Sequence, residues 1–481
     1  MAPSVSTIAT ASSAEPAPRG SVHPRARGTE TPPPCERFGL HRGLKDMAHF
    51  LSKLLRASAC VAVELLRTCP AFAQQAAGLP PIRDLGPRLA ISRDTLGTIR
   101  GIRQLSDGRV MVNDVGKHRL MLFDSTLSHP VVIADSTAGT KKAYGASLGG
   151  ILAYPGDSTL FVDPIALSLL VIDPSGRIVR TIAAPRPRDA PALVQPDANA
   201  AIDALGRVVY LGINASCDPV CSYSIGHKAD TSAKPASSLP VYAAHDSAPI
   251  LRGDVATRVI DTIGYVAIPY TARSVDGPPA ADGARTVIDS MPNPIQISDS
   301  WAVTADGSVA IVRGLDYHVD WIGADGGRVS TPKIAHDWRR LSDSEKTIIL
   351  DSARHFVDSA DAAMLAHQTR QDSINHRPRR MASVISAWPD ATELPDYYPP
   401  FFGYWAVRAD ADDNLWIRLE GSSNLFPGSS RAVYDIVNRE GRLVDRIQLP
   451  PTLTLAGFGP GVVYLTSREG WGTVIVKYRI R

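Results

Sequence analysis

The chain has 481 residues, of which 44% are hydrophobic, so it can bury a sizeable core, and its 38 prolines and 37 glycines favour many turns over long helices. The formal charge of +3 is concentrated at the start: nine Lys and Arg against five acids precede Gln74, leaving 42 basic and 43 acidic residues after it. A nearly neutral body without a basic stripe argues against a nucleic-acid surface.

Residues 1–46 are rich in Pro, Ser, Thr and Arg without periodicity, which reads as a disordered extension or as sequence upstream of the true start. Met47 begins a better start, with Lys53 and Arg56 as a basic region, Ala57 to Leu66 as a mostly apolar stretch and Ala71-Phe72-Ala73 as a small-x-small cleavage site. Residues 47–73 therefore read as a signal peptide, with a short amphipathic helix as the competing reading; the segment is too short and too charged for a membrane span. The expectation is a secreted or periplasmic monomer with no transmembrane segment in its mature form. Cys35, Cys60 and Cys69 fall in the leader, leaving Cys217 and Cys221, whose spacing fits a small disulfide loop. A metal site would need further ligands, and only His227 is near.

From Leu85 to Arg481 one unit recurs: a short apolar strand, a tight Asp/Gly turn, a second strand with an acidic end, then a third strand. It starts as Gly101 to Leu105, Ser106-Asp107-Gly108-Arg109, Val110 to Asp114 and Leu120 to Asp124. The first turn returns at Pro155-Gly156-Asp157, Asp203-Ala204-Leu205-Gly206, Ala305-Asp306-Gly307, Asp412-Asp413-Asn414 and Gly459-Pro460-Gly461. A second turn returns at Asp173 to Arg177, Ala324 to Arg328 and Asn438 to Arg442. Period-two runs closed by such turns are hairpins. Six units predict an all-β, six-bladed β-propeller over residues 85–481. The strand Arg88 to Ser92 is expected to join the last blade and close the ring.

Two insertions interrupt the pattern. Ile213 to Leu239 holds the cysteine pair and reads as polar loop. About residues 336–380, between blades 4 and 5, read as helix: Ser342-Asp343-Ser344-Glu345 is a capping box, followed by Ile349, Ala353, Phe356, Ala360 and Met364 at helical spacing. Ile349, Phe356 and Met364 are expected to pack against the blade loops as a cap.

The unit of strand, Asp-Gly turn, strand, Asp, strand and outer turn resembles the NHL and TolB-like six-bladed propellers. The resemblance implies the fold. The asparagine and arginine typical after the second strand are only partly kept, in Asn113-Asp114 with Arg119, so an RNA- or peptide-binding role is not carried over.

Little catalytic chemistry is legible. Gly145-Ala146-Ser147-Leu148-Gly149 matches the nucleophile elbow but lacks its strand and helix, and Asp410 to Asn414 sits at a blade turn without the closing glutamate of a calcium loop. His376 to Arg380 is a basic run best read as a solvated loop. The ligand candidates lie where blade-joining loops converge: Asp114, Asp163, Asp316, His318, His336, Asp337, Trp338, Asp396, Tyr397 and Tyr398. Aromatics with a few carboxylates suit a protein, peptide or carbohydrate ligand, and equally suit plugging the channel. The leading expectation is an extracytoplasmic binding or scaffold protein without a cofactor. The alternative is a metal-dependent hydrolase of the gluconolactonase-like propeller class, with Asp114, Asp163, Asn214 and Asp316 as possible ligands of a divalent cation such as calcium.

Overall fold

In blades 3 and 5 the first hairpin turn is built by its own first residue. In blade 3, Asp203 Oδ1 accepts the backbone N–H groups of Leu205 and Arg207 at 3.0 and 2.9 Å, while Gly206 supplies a φ of +79°. Asp410 takes the N–H groups of Asp412 and Asn414 at 2.9 Å in the same way and adds the indole N–H of Trp416 at 2.9 Å, so this stretch is a blade turn. Asp173 and Asn438 do the same for Arg177 and Arg442 at the outer turns.

The computed structural model describes residues 78–140, 143–145, 149–163, 166–194, 199–212, 247–268, 273–278, 286–291, 293–375, 383–403, 405–419 and 431–481. The predicted signal peptide, Asn214, the cysteine pair and Ser147 lie outside them. The described residues belong to one unit, Gly78–Arg481. None of their helices is long and apolar enough to cross a membrane.

Six antiparallel sheets form the ring. Blade 1 runs through Ile99–Gln104, Val110–Asp114, Arg119–Phe123 and Val131–Ala134, and blade 2 through Gly150–Tyr154, Ser158–Asp163, Ser168–Ile172 and Ile178–Ala183. Blade 3 comprises Ala201–Ile202, Val208–Leu211, Ser247–Gly253 and Ile260–Ala267; blade 4 comprises Ser300–Val303, Val309–Arg313, His318–Ile322 and Arg328–Ser330. Blade 5 holds Val407–Ala409, Leu415–Arg418, Val433–Val437 and Leu443–Gln448, and blade 6 holds Leu453–Gly459, Val462–Glu469 and Gly472–Arg479.

The ring closes as expected, with Arg88–Ile91 antiparallel to Gly472–Arg479. A second closure was not foreseen. Ile82–Asp84 adds a parallel fifth strand to blade 5, and Arg83 Nε donates to both oxygens of Asp445 at 3.0 and 2.9 Å.

The core is divided among the blade interfaces. Six clusters of buried side chains each draw on two neighbouring sheets, such as Met111, Leu120 and Leu122 of blade 1 with Phe161 and Ile172 of blade 2. Along Val110–Asp114, Met111 faces blade 2, while Val110 and Val112 face blade 6 through Tyr464 and Ile475. Period-two alternation on a sheet buried on both faces produces this division.

The helix predicted between blades 4 and 5 spans Asp343–Asn375, and its capping box forms: Glu345 Oε2 accepts the Ser342 N–H at 2.9 Å, and Ser342 Oγ accepts that of Glu345 at 3.3 Å. Its packing corrects the expectation. Phe356 is 74% exposed. The covered line is Lys346, Leu350, Ala353 and Val357, and Phe356 lies one residue, about 100°, around the axis from it. Leu350 packs with Ile295, Leu341 and Leu394, and Ile349, Trp388, Tyr398 and Phe402 lie against them, all from inserted segments rather than blade strands. Met364 falls among residues whose side chains are not described. A further sheet missed in the sequence joins Arg273–Asp276, Thr286–Ser290 and Ser383–Ala387, the last two pairing in parallel across the whole of blade 4.

Leu350→Ala is expected to cost about 2–4 kcal/mol, as for a well-buried leucine, and Phe356→Ala under about 0.5 kcal/mol, as for a surface side chain. Urea denaturation followed by helical circular dichroism makes the comparison. Equal losses would show that the packed face has been misassigned.

Candidate functional site

In a four-stranded meander, the turns between second and third strands and the connections between blades emerge at the same end. All ten nominated residues lie at that end. They divide into three groups.

Asp114 and Asp163 serve their own hairpins. Asp114 is fully buried, accepts the N–H of Gly97 at 3.1 and 3.0 Å and that of Lys117 at 3.1 Å, and pairs with Arg119 at 3.2 Å. It fastens the connection from blade 6 to the first hairpin of blade 1. Asp163 accepts the N–H of Ala166 at 3.1 Å.

Asp316 and His318 belong to a charged chain on blade 4. His318 Nδ1 meets Asp316 at 2.7 Å and its Nε2 meets Asp320 at 3.2 Å; Arg313 then bridges Asp320 and Asp299 at 2.7 and 2.6 Å.

The remaining six come together on the connection from blade 4 to blade 5. The buried Tyr317 ring contacts His336 edge-on at 5.4 Å, His336 contacts Trp338 at 5.2 Å, and Trp338 contacts Tyr397 at 6.4 Å, each near perpendicular. Two stretches of backbone hold this ladder: Leu341 donates to the Asp396 carbonyl at 2.8 Å, and Tyr398 donates to that of Arg339 at 3.0 Å. Lys346, the nearly buried lysine of the helix, donates to Asp396 at 2.9 Å, and the Arg339 guanidinium lies 4.5 Å over the Tyr398 ring. Asp337 is exposed beside His336.

Burial dominates the electrostatics. It lowers the His336 pKa to about 4, assisted by Arg446 and opposed by Asp337. Burial raises the Tyr317 hydroxyl well above its ordinary value, and Asp435, which accepts that hydroxyl at 2.9 Å, raises it further. Asp435 is itself raised by burial, against the pull of Tyr317 and Arg446.

A divalent cation would need oxygen donors converging on one point. Asp114, Asp163 and Asp316 stand on blades 1, 2 and 4, each engaged locally, and among the described residues no three of His, Cys, Asp and Glu are grouped to hold an ion. Asp114, Asp163 and Asp316 therefore do not converge on one ion, and Asn214, the fourth nominated ligand, lies outside the described residues.

The central channel is a cavity of about 560 Å³ lined by the inner strands of all six blades. None of the ten nominated residues lines it. Its polar lining includes Arg100, Arg103 and Arg408, which the sequence reading passed over. Their only signal was an arginine inside a first strand, two in Ile99–Gln104 and one in Val407–Ala409.

The His336 shift sets a pH dependence. An unfolded histidine titrates near 6.5, so the folded chain binds fewer protons at this residue between that value and about 4. The stability it contributes is complete above pH 6.5 and is lost as pH falls toward 4. His336→Gln should flatten the decline over this window, measured by urea unfolding at successive pH values. An unchanged slope would place the titration elsewhere.

Neither a protein-family model nor a curated protein matches the chain. Among solved structures it is similar to a gluconolactonase of Xanthomonas campestris at 8% identity, over 84% of this chain and 99% of that one, with a TM-score of 0.35. It is similar to virginiamycin B lyase of Staphylococcus aureus at 9% identity, over 82% of this chain and 99% of that one, with a TM-score of 0.34. A calcium-binding regucalcin of Agrobacterium tumefaciens shows 11% identity, over 83% and 98% of the two chains, with a TM-score of 0.35. At such identities and scores, fold and chemistry rest on the strand pairing and the side chains themselves.

Proposed function

We propose that this propeller is a non-catalytic binding protein, working outside the cytoplasm as a monomer, that grips a protein or peptide segment on the His336–Trp338–Tyr397 ladder. The observation that carries the reading is the partial exposure of large aromatics on a braced support: Trp338 is 38% exposed, Tyr397 48% and Trp405, on the same connection, 45%. Trp, Tyr and Arg dominate the hot spots of protein interfaces, and Arg339 and Arg340 stand beside these rings. The backbone pairing of Arg339 to Leu341 with Asp396 to Tyr398 lowers the ordering cost of binding. A peptide suits the ladder better than a sugar, because rings packed edge-on do not present the coplanar platform that a pyranose face would cover. The extracytoplasmic placement draws its support from residues 47–73. The gluconolactonase-like alternative has less support, since its carboxylates do not converge.

The test is selection of a random 12-residue peptide library on the immobilised chain, followed by affinity measurement on Trp338→Ala, Tyr397→Ala and the double variant. Selected peptides are expected to lose about tenfold or more in affinity with each variant, as at a hot spot. Peptides that bind the double variant unchanged, or lactone hydrolysis by the calcium-loaded chain in place of peptide selection, would overturn the reading.

A further inference from the structure

We propose that the central channel binds a small organic or inorganic oxyanion, a carboxylate or phosphate, between Arg100 of blade 1 and Arg408 of blade 5. This site is separate from the aromatic ladder and does not depend on its role.

Among the described residues the charge of the channel lining is unbalanced, with three guanidinium groups and one carboxylate, that of Asp410. Asp410 is committed to its own turn, where it accepts from Asp412, Asn414 and Trp416. Arg103 is committed as well, donating to Asp157 Oδ1 at 2.9 Å and to Thr159 at 2.6 Å. Arg100 and Arg408 differ: among the described residues neither guanidinium has a hydrogen-bond or ion-pair partner, and both are only partly exposed. Two like charges facing one confined cavity repel each other, and the low-dielectric walls strengthen that repulsion. An anion placed between them would reverse the sign of the interaction.

The backbone around each arginine is fixed. Arg100 stands at a β-bulge, where pairing with the second strand shifts between Ile99 and Ile102 and Gly101 takes a φ of +100°. The fully buried Asn113 holds the bulge, its amide donating to the carbonyls of Arg100 at 3.0 Å and Gly149 at 2.8 Å while it accepts from Tyr144 at 2.9 Å. A bulge re-aims the side chain it carries, and here the three polar contacts of Asn113 preserve that aim. On the other side, Asn199 enters from blade 3 and donates to the carbonyl of Val407 at 2.9 Å, beside Arg408. Guanidinium groups on fixed backbone suit planar or tetrahedral oxyanions, which accept paired N–H donors. The cavity, at about 560 Å³, is within the range of small-molecule sites and accommodates an anion larger than phosphate alone.

The experiment uses the full chain with inorganic phosphate and citrate as probes, by isothermal titration at low salt, on the native chain, Arg100→Gln, Arg408→Gln and Arg93→Gln. Arg93 is an exposed arginine outside the channel lining and serves as the charge control. The native chain and Arg93→Gln are expected to bind at least one probe, and each channel variant to lose about tenfold or more in affinity, as for one charge-assisted pair. Without anion, both channel variants should unfold at or above the native temperature, because no partner is removed and a repulsion is relieved. The probe should raise the melting temperature of the native chain but not of the double variant. Absence of binding for both probes at 10 mM, about the weakest useful affinity, would overturn the proposal. So would binding that the channel variants leave intact.

Discussion

No blade owns a core. Each sheet is apolar on both faces and buries those faces only against its two neighbours, so the side chains of a second strand such as Val110–Asp114 are shared between two interfaces. Stability is therefore a property of the ring. The largest fully buried side chains mark the joints: Trp301 between blades 3 and 4, Phe161 and Tyr144 between blades 1 and 2, and Trp416 between blades 5 and 6. The inner strands can then be short and carry small residues, which leaves the axial channel open, and the blade-joining segments at one end are free to vary.

That division of labour explains what was legible in the sequence. At Asp203 a carboxylate takes the N–H groups two and four residues on, with Gly206 between at positive φ, and the other first turns are equally short runs rich in Asp, Asn, Gly or Pro, so all six blade turns could be read locally. The helix cap at Ser342 and Glu345 is equally local. The sheet formed by Thr286–Ser290 and Ser383–Ala387 was not legible, because its partners lie nearly a hundred residues apart and pair in parallel, with no hairpin to announce them. Phe356 misled for a related reason: helical spacing identifies a stripe, but the extent of its cover depends on Ile295 and Leu394 in distant segments.

The site was partly readable. His336, Trp338, Tyr397 and Tyr398 stood out as aromatic and titratable residues in a blade-joining segment, and folding brings them into one ladder. Asp114 and Asp163 stood out on the same grounds, and each carboxylate accepts a backbone N–H group of its own hairpin, a task to which an acid at the end of a second strand is equally suited. Arg100 and Arg408 drew no notice. Nothing in Ile99–Gln104 or Val407–Ala409 reveals that Arg100 and Arg408 lack a carboxylate among the described residues, because the candidate partners come from other blades.

The double closure imposes an order in time. Ile82–Asp84 and Arg88–Ile91 pair with Leu443–Gln448 and Gly472–Arg479, which lie at the far end of the chain. A ribosome delivers the first of these strands long before the last, and synthesis at about 5–20 residues per second separates them by some tens of seconds. Throughout that interval the early strands have no partner. The ring cannot lock until the C-terminal residues emerge, so a truncated or stalled chain retains an open seam at blades 5 and 6.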